Sequence, residues 1–153
     1  MDGKAVSAEA LIAHLSQLSR ESGRALLVQE ALQNSTWLDA VAGRAFATTR
    51  IITLLDETEE PEVVYAALRT AGSAESIVDN YHALGVAFPL DIETGELGAG
   101  RRLLFADDPQ FYPAHPTTGA RMQATRLARW QDAKALAIRL HRRCRQPGAN
   151  QQR

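Results

Sequence analysis

The chain has 153 residues, 45% hydrophobic and 23% charged, the balance of one soluble globular domain able to bury its own core. Its longest apolar stretches, such as Ala25 to Val28, are far too short to cross a bilayer, and no charged-then-apolar leader opens the chain. The expectation is a cytoplasmic protein without a membrane partner. The single cysteine, Cys144, excludes an internal disulfide and a multi-thiolate metal site.

The net charge of -1 is spread unevenly: residues 121–153 carry nine Arg or Lys against one acid, and the first 120 carry eight against seventeen. Such a run suits either a nucleic-acid tail or a solvated helix face. It lacks the interleaved aromatics that base stacking needs, which favours the helix face.

Taken in chain order, Ser7 can cap a helix, Glu9 suits its positive end, and Gly23 can stop it. Leu11, Leu15 and Leu18 share one helical face. Arg24 to Glu30 reads as a strand. A short helical turn follows over Thr36 to Ala42, closed by Gly43. Ala47 to Leu55 and Glu62 to Leu68 form a hairpin around the polar turn Asp56 to Pro61, with Val64, Ala66 and Leu68 on one face. Ile77 to Asn80 reads as a short strand after the Gly72-Ser73 break. Val86 to Ile92 and Leu97 to Phe105 pair through a turn at Glu93 to Glu96, where Gly95 can take positive φ. Gly98 and Gly100 weaken the returning strand. Asp107 to Gly119, with three prolines, is loop. A helix over Arg129 to Cys144 presents Leu136, Leu140 and Ala133 as its apolar stripe. Pro147-Gly148 ends the order, and residues 146–153 read as a disordered tail. Helix, mostly antiparallel strands, then helix is an α+β pattern.

No glycine-rich phosphate loop and no serine elbow are present. His14, His82, His115 and His141 lack metal-ligand spacing. The conspicuous polar residues sit inside apolar surroundings. Arg50 interrupts the strand Thr49-Arg50-Ile51-Ile52. It needs either an anion, which its planar fork would suit, or an outward orientation toward water. Asp79-Asn80-Tyr81-His82 and His115-Pro116-Thr117-Thr118-Gly119 can orient a substrate or simply form turns.

These segments come in a telling order. Leu27-Val28-Gln29-Glu30, four residues before Asn34, resembles the strand and linker that close the lid of ATP-grasp proteins. Thr49-Arg50-Ile51-Ile52-Thr53-Leu54 resembles the first core strand beyond it. Val78 to Gly85 and Pro89 to Gly98 resemble the asparagine-and-glycine turn and hairpin of the sugar-transfer associated ATP-grasp family. His115 to Gly119, with Trp130 eleven residues on, matches a further segment of that family. The resemblance runs from about residue 20 to 141.

That resemblance implies a carboxylate–amine ligase, related to the alpha-L-glutamate ligases, which activates an unidentified carboxylate substrate with ATP and magnesium as an acyl phosphate. The family name adds a tie to polysaccharide or cell-surface biosynthesis. By motif, Gln29 and Glu30 would lie beside adenine, Arg50 would face the phosphates, and Asp79, Asn80 and His82 would line the same cleft. The domain would run over 1–145, with 1–30 ending the lid and 31–145 forming the core. Leu84 stands where the family's first turn glycine is expected, which disfavours a close backbone approach there. The lysine loop and the magnesium carboxylates of the family are missing from the chain. The expectation is therefore a partial domain, silent alone, that self-associates or needs a complementing polypeptide. An unpaired edge or apolar patch would lie near Ile51, Val64 and Val86. A non-catalytic binding or scaffold module, and a basic-tailed nucleic-acid binder, are the competing readings.

Overall fold

The computed structural model describes residues 5–43, 45–73, 85–102 and 110–145. Two compact units make up the chain, Met1–Leu32 and Gln33–Arg153.

In the first unit, helix α1 spans Ala8–Ser22. The Ser7 hydroxyl oxygen accepts the Ala10 N–H at 3.2 Å, Glu9 occupies the first turn, and Gly23 ends the helix at φ 65°. The Ser19 hydroxyl donates to the Arg24 carbonyl at 2.7 Å and fixes the exit of the chain. No residue of α1 is buried. The strand expected over Arg24 to Glu30 is not formed. A short apolar run becomes a strand only when a neighbour takes up its N–H and C=O groups. Among the described residues this run has no such neighbour, and Leu27 is 84% exposed.

The second unit begins with a side-chain staple. The Asn34 amide donates to the Ala45 carbonyl and accepts the Ala47 N–H, each at 2.9 Å. Helix α2, Thr36–Ala42, is capped by Ser35. A five-stranded antiparallel sheet follows in the order β1 (Thr48–Leu55), β2 (Pro61–Thr70), β3 (Val86–Pro89), β4 (Gly100–Arg102), β5 (Phe111–Tyr112). The β1–β2 turn is organised by Asp56, whose Oδ1 accepts the N–H groups of Thr58 and Glu60 and the Thr58 hydroxyl. A bulge shifts the β1–β2 register between Ile52 and Thr53. It breaks the expected alternation: Ala66 and Leu68 are buried, but the next inward residue is Val63, and Val64 points out. An extra residue on one strand reverses every facing beyond it.

β3 is shorter than the expected 86–92. Leu90 makes only an isolated bridge to Leu97, and the chain then turns on Asp91. The reason for Gly100 lies in the packing. A Cβ there would sit 2.5 Å from Phe88 Cε1, so the glycine admits the Phe88 ring. β5 lies in a stretch expected to be loop; it pairs with β4 through Gly100–Tyr112 and Arg101–Phe111.

Helix α3 spans Trp130–Arg145, but its inward face is not the expected one. Leu136 and Leu140 are 44% and 51% exposed. Ala133 and Ile138 pack on the core with Trp130, and His141 Nδ1 meets the Thr53 hydroxyl at 2.9 Å. Trp130 sets this phase: it is buried, and its indole N–H donates to the Ile92 carbonyl at 3.1 Å. Leu68, Val86, Phe88, Leu97, Met122 and Trp130 form the centre of the core. Of the apolar patch expected near Ile51, Val64 and Val86, only Val64 is exposed; Val86 is at 1%. β1 nonetheless forms an edge of the sheet among the described residues.

Candidate functional site: the arginine face of the sheet

Paired residues in an antiparallel sheet share a face, and neighbours along a strand alternate. The row Thr70–Val86–Arg102 and the row Leu68–Phe88–Gly100–Tyr112 therefore belong to the core face, where Trp37, Leu38 and α3 pack. The opposite face carries the row Thr48–Arg69–Ala87–Arg101–Phe111 and the row Arg50–Ala67–Pro89. Arg50 and Arg101 are exposed, and Arg69 is half-buried. Arg101 lies with its guanidinium carbon 4.4 Å from the centre of the Phe111 ring, a contact that holds a cation over an aromatic face. Strand spacing of about 4.8 Å puts the Cα atoms of Arg69 and Arg101, two strands apart, about 10 Å from each other. Arg50 is one row away on β1. Glu62, paired with Leu54, sits at the other end of this face.

Three guanidinium groups on one face raise the local potential for anions. The planar fork of the exposed Arg50 can donate two parallel hydrogen bonds to a phosphate or carboxylate, whereas Arg69 Nε is buried and Arg101 is stacked on Phe111. Sequence reasoning singled out Arg50 but missed Arg69, Arg101 and Phe111. The signal was the shared alternation phase, which becomes usable only once the bulge and the short β3–β4 pairing are known.

The other expected site residues are distributed as follows. Gln29 and Glu30 are exposed in the first unit, in the segment that has no strand partner. Asp79, Asn80 and His82, with Leu84 and the expected strand over 77–80, lie outside the described residues.

The segment His115 to Gly119 is a tight turn built around a buried ring. His115 is 1% exposed, and its Nδ1 accepts the N–H groups of Thr117 and Thr118, both at 3.3 Å. That leaves the proton of the neutral ring on Nε2, which is buried and has no hydrogen-bond partner among the described residues; the Ala71 carbonyl faces the ring. Phe88 stacks beside it with centroids 6.3 Å apart. Burial holds the pKa of His115 below the usual histidine value; the Ala71 carbonyl opposes this shift and the nearby Arg102 charge reinforces it. The Thr118 hydroxyl donates to the Val41 carbonyl at 2.7 Å and ties the turn to α2.

The second family segment is equally well rooted. Asp91 Oδ1 accepts from the N–H groups of Glu93 and Thr94 and from the Thr94 hydroxyl. Gly95, at φ 72°, lets Trp130 close over the turn, since a Cβ there would lie 2.6 Å from Trp130 Cγ. Lys134 reaches Glu93 at 2.8 Å from the helix side. Among the described residues, no group of three or more His, Cys, Asp or Glu side chains lies together in a way that could hold a metal.

The described residues of the second unit form an α+β domain whose antiparallel sheet has helices packed on one face and carries Arg50, Arg69 and Arg101 on the other. The family model for sugar-transfer associated ATP-grasp proteins matches residues 2–149, and the chain belongs to that family. No curated protein and no solved structure matches it. Membership makes this an ATP-grasp, ligase-like domain, a family that works with ATP and a carboxylate substrate. No helix among the described residues is long and apolar enough to cross a membrane.

Proposed function

We propose that the chain is the phosphate-holding part of an ATP-dependent carboxylate–amine ligase, and that its arginine face is where the nucleotide phosphates lie. In such a reaction a carboxylate oxygen attacks the γ-phosphorus of ATP and ADP leaves. An amine nitrogen then attacks the acyl carbon and inorganic phosphate leaves. Both the nucleophile and the phosphates are anionic, so the task for the protein is positioning and charge neutralisation. Arg50 grips phosphate oxygens from the exposed face, while Arg69 and Arg101 extend the positive field. The family resemblance also assigns nucleotide-binding roles to Gln29, Glu30, Asp79, Asn80 and His82. The observation that carries this reading is the sheet register that puts Arg50, Arg69 and Arg101 on one face.

Magnesium belongs to the family's chemistry, but no carboxylate cluster among the described residues fits it, and no step is routed through it. We place the substrate in polysaccharide or cell-surface biosynthesis. A complementing polypeptide or a second copy of the chain is its proposed partner. The eight-residue edge strand β1, with Ile52 and Leu54 exposed, suits such pairing.

A non-catalytic binding or scaffold module is the second reading. The nucleic-acid reading is weakened because Arg142 and Arg145 are already engaged with Glu60 and Glu59. Loss of heparin retention on deleting residues 139–153 would restore it. The central test is calorimetric titration with ATP and magnesium. Arg50→Ala should weaken binding at least about tenfold, the cost of one charge-assisted contact of about 1.5–3 kcal/mol. Unchanged affinity would remove Arg50 from the site.

A further inference from the structure

We propose that His115 and Arg102 are positioning residues: they hold the His115–Gly119 turn and the end of β4 against the Ala71–Gly72 backbone, and thereby set the spacing of Arg69 and Arg101 on the opposite face of the sheet. The inference rests on the reading of that face as the phosphate site. Arg102 Nη2 donates to the Gly72 carbonyl at 2.8 Å, and its guanidinium lies 5.2 Å from the centre of the Tyr112 ring. The His115 ring faces the neighbouring Ala71 carbonyl. The backbone just beyond β2 is thus flanked by Arg102 of β4, which holds the Gly72 carbonyl, and by the His115 ring, which faces the Ala71 carbonyl. Arg69 precedes this end by two residues, and Arg101 adjoins Arg102 on the opposite face. A shift at the latch displaces both cations directly.

The latch has one protonation state. Nδ1 must present its lone pair, because two N–H groups converge on it. A second proton on the ring would turn that acceptor into a donor and break both bonds. The groups packed around the ring are the Ala71 carbonyl at the end of β2, Phe88 of β3, Arg102 of β4 and the Thr117 and Thr118 amides. The charged one is Arg102, which repels a protonated ring.

The test combines amide hydrogen exchange by NMR with ATP titration, on wild type, His115→Asn and His115→Ala. In His115→Asn the side-chain oxygen can stand in for Nδ1, but nothing titrates. From pH 7.5 to 5.5, a ring harder to protonate in the closed latch than at its ordinary 6.5 in the open one raises the open population, with about tenfold as the upper limit. Wild-type protection of Thr117 and Thr118, corrected for intrinsic exchange, should fall over that range. His115→Asn should show no such fall, and should keep the loop protected. His115→Ala should expose the loop amides and weaken ATP binding at least threefold. Wild-type protection independent of pH, or His115→Ala protection equal to wild type, would overturn the latch. An altered loop with unaltered ATP affinity would overturn the positioning role. Failure of wild type to bind ATP at all would refute the phosphate-site reading and the positioning role with it, while the exchange measurements would still decide whether the latch exists.

Discussion

Three glycines separate two costs that are usually entangled. At Gly119, φ is 70° and an added Cβ meets nothing within 4 Å; at Gly100, φ is ordinary and the Cβ would lie 2.5 Å from Phe88 Cε1; at Gly95, φ is 72° and the Cβ would lie 2.6 Å from Trp130 Cγ. Gly119→Ala therefore pays left-handed strain alone, about 1–2 kcal/mol. Gly100→Ala forces the fully buried Phe88 aside, an overpacking cost of about 1–3 kcal/mol. Gly95→Ala carries both, about 2–5 kcal/mol, because Trp130 is buried and its indole is committed to the Ile92 carbonyl. Urea unfolding followed by circular dichroism measures all three. With a slope of about 1–3 kcal/mol per molar urea, Gly95→Ala should lower the midpoint most and Gly119→Ala least. Equal shifts for Gly95→Ala and Gly119→Ala would show that Trp130 does not sit against the turn, and would refute the packing described for α3.

Other outcomes follow from the same contacts. Because burial depresses the His115 pKa, the folded state binds its proton less readily than the unfolded chain. The associated stability is complete above about pH 6.5 and is lost as pH falls from there toward the folded-state value; the melting temperature of wild type should drop more than that of His115→Asn between pH 7.5 and 5.5. The Thr94 N–H, foremost among its turn donors, holds the Asp91 carboxyl below its ordinary pKa. That contribution is present above about pH 3.8 and is lost as pH falls through the folded-state value, so Asp91→Asn should flatten the acid limb of the stability profile. Arg142→Ala should cost less than about 1 kcal/mol in urea unfolding, since its pair with Glu60 is exposed on both sides. Trp130→Ala should cost about 3–5 kcal/mol.

Local signals in the sequence carried over to the structure where they depended on few partners. Ser7 and Gly23 bound α1, and Gly43 closes α2, because caps are satisfied within a turn. The β1–β2 hairpin was readable from its β-branched run and the Asp56 turn. Legibility ended where one residue's facing depends on a distant contact. The bulge at Ile52 and Thr53 reversed the facing of Val63 and Val64. Trp130 rotated α3 so that Leu136 and Leu140 lie outward. The run Ala25 to Val28 has strand composition, but composition supplies no hydrogen-bond partner. For the site, Arg50 was visible as a charge inside an apolar run. Arg69 and Arg101 were not, because their kinship with Arg50 exists only in the register. His115 read as part of a segment that either orients a substrate or forms a turn, and its burial against Phe88 has no local signature.

The most direct test of the phosphate-holding face is an amide and arginine side-chain chemical-shift map of the chain titrated with ATP. The account predicts saturable shifts along Arg50, Ala67, Arg69, Ala87 and Arg101, with the core-face row of Leu68 and Phe88 moving less. Shifts confined to the surface around Asp91 and Glu96, or none at millimolar ATP, would contradict it.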